Sequence, residues 1–347
     1  MEHVKTSEPC GAPGHLRTAI TGLKLGEAAV HRGLTVFPLT SSVGSSLQYL
    51  LREEGLRRNL VTIREVSEGG SVPELAVENR ASRPVLIVDG EELVGAKQNR
   101  VANLTMLIPA RSTTIIPVSC VEAGRWSYSR RDLGVTDRVQ NARGRAEKLG
   151  SVRQALRYSG SRRSDQGQVW SSIAEEAAAL DAESPTSAMS EMFERHRETL
   201  DDYVGLVEAA PDQVGAVFIA GGRRCGLDLF DQPATFAAFL PKLVRSYAIE
   251  VLGRRERQRD DSPGGDARAF IQRILDGSFD DHPAVGLGRD VGVVGDGVVA
   301  GALVADGTTV HLTAFAEPNR RRSGGESRQR YASYRQRREA LESRYAR

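Results

Sequence analysis

Short apolar runs separated by turn residues dominate the first third of the chain. Residues 34–39 form one such run, and residues 60–120 contain several more, in which apolar and polar positions alternate or apolar residues cluster briefly. Residues 85–88 are apolar throughout and closely bounded by turn residues, which favours a strand buried on both faces. Four or five strands this close in sequence predict an antiparallel sheet or a sandwich.

Apolar spacing typical of helices occurs between and after these strands. Residues 47–51 carry leucines at helical spacing before Gly55, which predicts a short helix ending there. Similar spacing predicts helices over residues 146–158, 169–180 and 189–209. Asp231 precedes Pro233 at the start of a long apolar stretch, as at many helix N-termini, so a further helix is predicted to run to residue 252.

A second group of strands occupies the last third of the chain. Residues 216–219 and 225–229 are strand-like runs joined by Gly221-Gly222, which is typical of a hairpin turn. Three later runs, over 291–294, 298–304 and 310–315, predict a meander. The fold class predicted from the whole pattern is α+β, with a largely antiparallel β-sheet or sandwich and helices packed on it.

The same pattern gives an expected domain organisation. We expect an N-terminal lead-in over residues 1–33, disordered in its first 15 residues. A single α+β domain should cover 34–317, with a β-rich part (34–126), a helical part (140–210) and an α/β part (215–316). A basic tail, 318–347, follows. The sequence shows no internal repeat, and both groups of strands could belong to the one domain.

Composition narrows the class of protein. The chain has 347 residues, 40% of them hydrophobic, and a net charge of +2, so net charge does not indicate a nucleic-acid-binding protein. Its three cysteines are not spaced like a zinc site and suit reduced thiols. The N-terminus lacks the apolar segment of a signal peptide, and no apolar run approaches the roughly 18 residues of a spanning helix. We therefore expect a cytoplasmic protein without membrane association.

Common catalytic and nucleotide-binding motifs are missing. The sequence has no GxxxxGK[ST] phosphate loop, no GxSxG, no HExxH and no EF-hand loop, and residues 286–288 lack the third glycine of a dinucleotide fingerprint. No two of the six histidines stand at metal-ligand spacing. A histidine-rich metal centre is therefore not expected.

The most informative stretch lies between residues 90 and 100. Glu91 and Glu92 follow a predicted buried strand, and a dense set of hydrogen-bond donors comes soon after them. These donors are Lys97, Gln98, Asn99 and Arg100. Such a set suits a phosphate or a polar heterocycle. A solvated hairpin end is the alternative.

A second polar stretch, residues 117–126, follows the last strand of the first group. On a strand, Cys120 and Glu122 share one face. Cys120 is expected to be a buried structural thiol, whereas Glu122 at the strand exit is better placed for chemistry. Arg125 and Trp126 could hold a phosphate and stack on a base or ribose. For Trp126 the alternative is a core anchor.

These two stretches carry a resemblance to a known family. The run from Gly90 to Arg100, followed by residues 116–122 and by 124–126, resembles the ADP-ribosylglycohydrolase- and rhodanese-phosphatase-associated protein domain family. The resemblance covers roughly residues 34–317, and its specific motifs lie in residues 90–126. It implies a role in NAD or ADP-ribose metabolism, because the family occurs in bacterial gene neighbourhoods of that kind. It implies a pathway more than a mechanism and assigns no catalytic residue.

A third segment, residues 221–231, joins the glycine hairpin to four charged residues. Arg223 and Arg224 follow the glycines and could hold a phosphate together with backbone N–H groups. Asp228 and Asp231 could hold a divalent cation, which makes such an ion a candidate cofactor. The alternatives are a plain hairpin and a helix N-cap.

Positive charge is concentrated between residues 124 and 163. This stretch carries about eight more basic than acidic residues, and the tail about seven more. Arginines in the stretch are interleaved with Trp126, Tyr128 and Tyr158, as on many nucleic-acid-binding surfaces. These arginines are Arg130, Arg131, Arg143, Arg145, Arg153 and Arg157. We expect them to pair within the protein or with a small anion, so nucleic acid is not an expected partner.

Three hypotheses of function follow. The first is a nucleotide-binding or nucleotide-processing protein whose ligand resembles ADP-ribose. Its catalytic carboxylates would be Glu91, Glu92 and Glu122. Its diphosphate would be held by Lys97, Arg100 and Arg125. One concavity is expected to be surrounded by Glu91, Lys97, Asn99, Arg100, Glu122 and Arg125. The second is a non-catalytic binding or scaffold protein that meets a partner enzyme through residues 124–163. RNA binding is the third.

Overall fold

The structure, a computed structural model, describes residues 11–42, 44–67, 70–128, 132–222, 224–252 and 263–316. The predicted tail and three of the candidate arginines, Arg130, Arg131 and Arg223, lie outside the described residues. The helices are α1 (Ala12–Thr21), α2 (Arg52–Arg57), α3 (Ala142–Ser159), α4 (Gln166–Ala179), α5 (Met189–Arg195), α6 (Arg197–Val204), α7 (Pro233–Leu252) and α8 (Pro263–Asp276). The strands are β1 (Leu23–Leu25), β2 (Ala29–His31), β3 (Leu34–Ser41), β4 (Leu50–Leu51), β5 (Val61–Glu65), β6 (Glu74–Asn79), β7 (Val85–Ile87), β8 (Glu92–Gly95), β9 (Arg100–Ala102), β10 (Met106–Ile108), β11 (Ser112–Cys120), β12 (Leu133–Gly134), β13 (Gln213–Ala220), β14 (Arg224–Phe230), β15 (Ser278–Pro283), β16 (Arg289–Gly295), β17 (Val298–Ala305) and β18 (Thr308–Ala316).

The largest sheet is antiparallel and collects strands from both ends of the described chain. Its order is β1-β3-β13-β14-β18-β17-β16-β15, and β2 also pairs with β3. The predicted hairpin joins β13 to β14 through Gly221 and Gly222, whose φ angles of 59 and 63° favour glycine because it has no Cβ. The predicted meander is β16 to β18.

Strands β4 to β12 make a second β region. Six of them form an antiparallel sheet in the order β12-β8-β9-β11-β6-β5, and three form a small sheet in the order β10-β7-β4. The apolar run predicted to be buried on both faces is β7, which is buried along its whole length. It pairs with β10 on one side and with β4 on the other.

Helices cover both faces of the large sheet because its strands are apolar on both sides. Phe218 faces α7, where its ring stacks on Tyr247 at 4.3 Å between centroids. Phe37, Leu227 and other residues of the opposite face pack with α1 and α8. The predicted α+β class is therefore confirmed.

The structure corrects the predictions at the start of the chain. Helix α1 begins at Ala12, inside the segment expected to be disordered, because Leu16 and Ile20 lie one turn apart and are buried. Residues 50–51 form a strand and not a helix. Gly55 lies inside α2, where a Cβ would come within 2.5 Å of Val61, so it serves close packing and does not end a helix.

The helical part also departs from prediction in one place. Helix α3 covers the predicted 146–158 segment and extends it at the N-terminus. The single helix predicted over 189–209 is divided at His196 into α5 and α6. Among the described residues, no helix combines the length and the apolar character needed to cross a membrane.

A buried network of ion pairs connects the two β regions through α3. Arg145 donates to both carboxylate oxygens of Asp228 on β14, at 2.6 and 3.1 Å, and to Asp89 after β7 at 3.1 Å. Lys148, one turn along α3, donates to Asp89 at 2.8 Å. Burial by itself would raise the pKa of Asp228, but Arg145 and His311 lower it well below its usual range. The Asp228 carboxylate is therefore charged, and its charge is balanced inside the protein.

Other arginines of the basic stretch are also paired internally. Arg143 binds Glu147 at 2.9 Å and Glu175 at 2.6 Å. Arg153 binds Asp290 at 2.5 Å, and Arg157 lies 3.4 Å from Asp280. This pairing leaves fewer arginines for a nucleic acid than the sequence alone would indicate.

Replacing Arg145 by Ala should lower the free energy of unfolding by about 3–5 kcal/mol, because Asp89 and Asp228 would stay buried with too little positive charge. Urea unfolding followed by circular dichroism measures the loss. The matched control is Arg143→Ala on the same helix. Its ion pairs are partly exposed, so their loss should lower the free energy of unfolding by less than about 1 kcal/mol. Equal losses for the two variants would contradict the role given to Arg145.

Candidate functional site

The polar strip predicted between residues 90 and 126 is divided into two groups. Glu91 stands directly before β8 and Glu92 begins it, and each carboxylate is bound by a different arginine. Residues 96–100 and 122–126 meet in a separate group, in which Asn99 N–H donates to Glu122 Oε2 at 3.1 Å. The structure therefore brings the loop donors to Glu122 and Arg125, and it places Glu91 among other partners.

Arg125 holds the second group together. Its guanidinium donates to the carbonyl oxygens of Ala96 and Ser127, both at 2.8 Å, to Asn99 Oδ1 at 3.1 Å and to Glu122 Oε2 at 2.6 Å. We call these five residues the Arg125 clamp. The groups predicted to bind a ligand here bind one another, so the clamp fixes the loop conformation.

Arg100 and Gln98 are buried beside the clamp. Arg100 Nε donates to the Val72 carbonyl at 3.1 Å, and Nη2 lies 3.8 Å from Glu65, beyond hydrogen-bond distance. Burial lowers the pKa of Arg100. Gln98 donates to the Glu122 carbonyl at 3.0 Å. Within the described residues, neither Nη atom of Arg100 has a hydrogen-bond partner, a situation that ordered water commonly resolves in proteins.

Trp126 and Tyr128 extend from the clamp to the surface. They are 47% and 49% exposed. The ammonium of Lys97 lies 5.4 and 5.3 Å from the centres of the two rings, and Arg100 lies 5.6 Å from that of Trp126. Trp126 is therefore not a core anchor, and these cation–π contacts hold a pair of aromatic rings in place on the surface.

Glu91 is buried among opposite charges. Its Oε1 accepts from Arg52 at 3.1 Å and lies 3.5 Å from Lys242, while its Oε2 accepts from the Val88 N–H at 2.8 Å. Burial alone would raise the pKa of Glu91, but the charges of Arg52 and Lys242 outweigh it and lower the pKa. Glu91 is therefore ionised at neutral pH.

Glu92 is buried with fewer partners. Its Oε2 accepts from Arg138 at 2.6 Å and from Thr136 at 3.4 Å. Its Oε1 has no hydrogen-bond partner in the described part of the chain. Burial raises the pKa of Glu92, and Arg138 offsets only part of that effect. The two neighbouring glutamates thus have pKa values displaced in opposite directions, which is common where carboxyl groups have different roles.

A cleft of about 470 Å³ opens in front of these glutamates. Its cationic lining residues are Arg57, Arg138, Arg197, Lys242 and Arg245, and its acidic ones are Glu53 and Asp137. We call it the arginine cleft. Arg138 and Thr136 bind Glu92 and also line the cleft, and Lys242 contacts Glu91 in the same way. Both glutamates therefore lie directly behind its wall.

Carboxylates at the rim hold the cleft arginines in position. Arg197 donates to Glu194 at 2.7 Å and lies 3.3 Å from Asp137. Arg138 also binds Glu194, and Arg245 binds Asp201 at 2.7 Å. These rim pairs are partly exposed, so each contributes little to stability. Little free energy is therefore lost when another anion replaces the carboxylate of such a pair.

In the third predicted segment, both candidate metal ligands, Asp228 and Asp231, are bound by other side chains of the protein. Both oxygens of Asp228 are bound by Arg145, and Asp231 accepts from Tyr49 at 2.5 Å and from Gln232 at 3.1 Å. Arg224 begins β14 directly after the hairpin. No group of three or more His, Cys, Asp or Glu side chains among the described residues is arranged to hold a metal ion.

Comparison with protein families matches residues 22–315 to the ARG and Rhodanese-Phosphatase-superfamily-associated Protein domain, ARPP-1. The chain belongs to this family. The family name records an association with ARG, the ADP-ribosylglycohydrolases, and with the rhodanese-phosphatase superfamily, and it confirms the resemblance found in residues 90–126. Neither the curated proteins nor the solved structures compared with the chain gave a match.

The arginine cleft of this ARPP-1 domain was not predicted from the sequence. Its cations come from α2, α6, α7 and the segment after β12, which are far apart along the chain. Within its own element, each arginine or lysine stands in no distinctive motif, so spacing gives no signal. The pair Lys242 and Arg245, three residues apart on α7, is the one local hint, because such residues share a helix face.

In the native ARPP-1 domain, Cys120 should alkylate far more slowly than in the unfolded chain, because the thiol is buried and burial raises its pKa. Mass spectrometry of a Cys10→Ser, Cys225→Ser variant treated with iodoacetamide measures this directly. The same variant in denaturing urea is the control. Rapid native labelling would mean that Cys120 is a reactive thiol.

Proposed function

We propose that this ARPP-1 protein binds a small anionic ligand of the nucleotide type, such as ADP-ribose, in the arginine cleft. The observation that carries the proposal is the set of five cationic side chains around a cavity of about 470 Å³. That volume lies in the range of small-molecule sites, roughly 300–1,000 Å³. A diphosphate between guanidinium groups forms short, charge-assisted hydrogen bonds, often in bidentate pairs.

The family context supports the choice of ligand. The association with ADP-ribosylglycohydrolases points to ADP-ribose or NAD metabolism. The proposal places the protein in a cytoplasm, where Cys120 and Cys225 would remain as free thiols. All three carboxylates considered from sequence are paired with arginines, but Glu92 combines a raised pKa with an oxygen that has no hydrogen-bond partner among the described residues. Glu92, behind the cleft wall, is therefore the candidate for proton transfer.

Replacing Arg197 and Arg245 together by Ala should weaken ADP-ribose binding at least about tenfold, since each hydrogen bond to a charged group contributes about 1.5–3 kcal/mol. Isothermal titration calorimetry at about 150 mM salt measures the change, with a thermal unfolding curve to show that the variant is folded. The control is Arg163→Ala, a 64% exposed side chain outside the cleft, which should leave the affinity within about twofold. Unchanged affinity in the double variant would reject the cleft as the site.

A scaffold role is the second candidate, and the exposed aromatic pair favours it. Aromatic side chains are the commonest hot spots of protein interfaces, and Trp126 and Tyr128 are already held in position by Lys97 and the Arg125 clamp. A partner enzyme would therefore meet a preorganised surface. The family's association with other proteins is in keeping with this role.

The variant Trp126→Ala, Tyr128→Ala should lose affinity for an ADP-ribosylglycohydrolase by more than about tenfold and keep its affinity for ADP-ribose, because the two rings lie outside the cleft lining. Calorimetric titration of each variant with the ADP-ribosylglycohydrolase and, separately, with ADP-ribose gives the two affinities to be compared. Val30→Ala, a change at another exposed apolar side chain, is the control. Undiminished enzyme binding by the double variant would remove the aromatic pair as an interface.

A further inference from the structure

The charge state of Glu92 depends on a guanidinium that a ligand in the arginine cleft would share. Arg138 is 2.6 Å from Glu92 on the buried side and belongs to the cleft wall on the other. The same group also binds Glu194 at the rim. An anion that binds Arg138 therefore competes with both carboxylates for one positive charge.

The carboxylates that compete for Arg138 differ in their access to water once the anion has bound. Glu194 and Asp137 are 45% and 43% exposed, so water solvates them when an arginine turns to the ligand. Glu92 is completely buried, and Thr136 is the remaining polar contact of its Oε2. Glu122, whose own charge is held by Arg125, adds repulsion. A buried carboxylate that shares its counter-charge is stabilised by becoming neutral.

We propose that anion binding in the arginine cleft is coupled to the uptake of one proton by Glu92, an inference that rests on the proposed function. The proton comes from solvent and neutralises the carboxylate as the ligand brings its negative charge to Arg138. Glu91 does not compete for it, because Arg52 stands behind Glu91 and is not among the cleft-lining residues. Protonation of Glu92 removes one buried negative charge, which offsets part of the charge that a dianionic ligand brings to the cleft.

The sign of the pH effect follows from the proton count. Burial already raises the pKa of Glu92 without ligand, and a nearby anion raises it further, so the complex holds more protons than the free protein. Affinity should therefore increase as pH falls towards the free-protein pKa of Glu92, and it should level off below that pKa. The steepest possible change, for one proton, is about tenfold per pH unit.

ADP-ribose is the appropriate probe for this coupling. Its diphosphate is a diester without a protonation step near neutral pH, whereas a terminal phosphate monoester titrates near about pH 6 and would hide the effect. Calorimetric titration at one pH in two buffers of different ionisation enthalpy gives the number of protons taken up. We expect a value between zero and one for the wild type, close to zero for Glu92→Gln, and the wild-type value for Glu74→Gln, a change at a carboxylate that is 42% exposed and not among the cleft-lining residues.

The outcomes separate the coupling from the proposed function. ADP-ribose binding without proton uptake, or equal uptake in Glu92→Gln and wild type, overturns the coupling and leaves the cleft as the site. Absence of any ADP-ribose binding overturns both. Should Glu92→Gln fail to fold, the wild-type affinity measured between pH 5.5 and 8 decides instead: a rise towards low pH supports the coupling, and a flat profile overturns it.

Discussion

The guanidinium of Arg145 neutralises carboxylates that come from both β regions, and the rest of the architecture is built around it. Asp228 belongs to the large sheet and Asp89 to the loop after β7, and Arg145 binds both. Helix α3 supplies the missing charge from between them. A hydrophobic contact tolerates small displacements, whereas these bonds of 2.6–3.1 Å require the two sheets to meet in one arrangement.

The arrangement of the two sheets also determines where the residues that line the arginine cleft lie. Helix α7 packs on the large sheet through Tyr247 and carries Lys242 and Arg245 on its other side, while Arg138 comes from the segment leading into α3. The cleft cations therefore come from elements whose relative positions the buried network sets. Binding groups held by a rigid scaffold need little reorganisation when an anion arrives, which favours affinity.

The sequence predicted regular elements well where the signal was local. The hairpin at Gly221 and Gly222, the meander and helix α7 depend on turn glycines, alternation and an N-terminal proline, and all three are found. The Leu47–Leu51 spacing misled because a two-residue strand leaves too short a pattern to tell from a helix turn. The strip at residues 90–126 was identified as polar and exceptional, but Asn99, Glu122 and Arg125 proved to bind one another in the Arg125 clamp, and Gln98 binds the Glu122 carbonyl. Whether a polar side chain is bound by other groups of the protein depends on its neighbours in space, which a single sequence does not show.

The pairing of β3 with β13 has a consequence for the way the chain is made. The two strands are separated by about 170 residues in sequence yet are hydrogen-bonded neighbours in the large sheet. At a synthesis rate of about 5–20 residues per second, β3 waits roughly 10–30 s before β13 has been made. Throughout that interval Val36 and Phe37 have no sheet partner on that edge, and unpaired apolar strands are prone to associate with other chains. Early formation of the β4–β12 region would shorten the effective distance between β3 and β13 and so favour their pairing once β13 has been made.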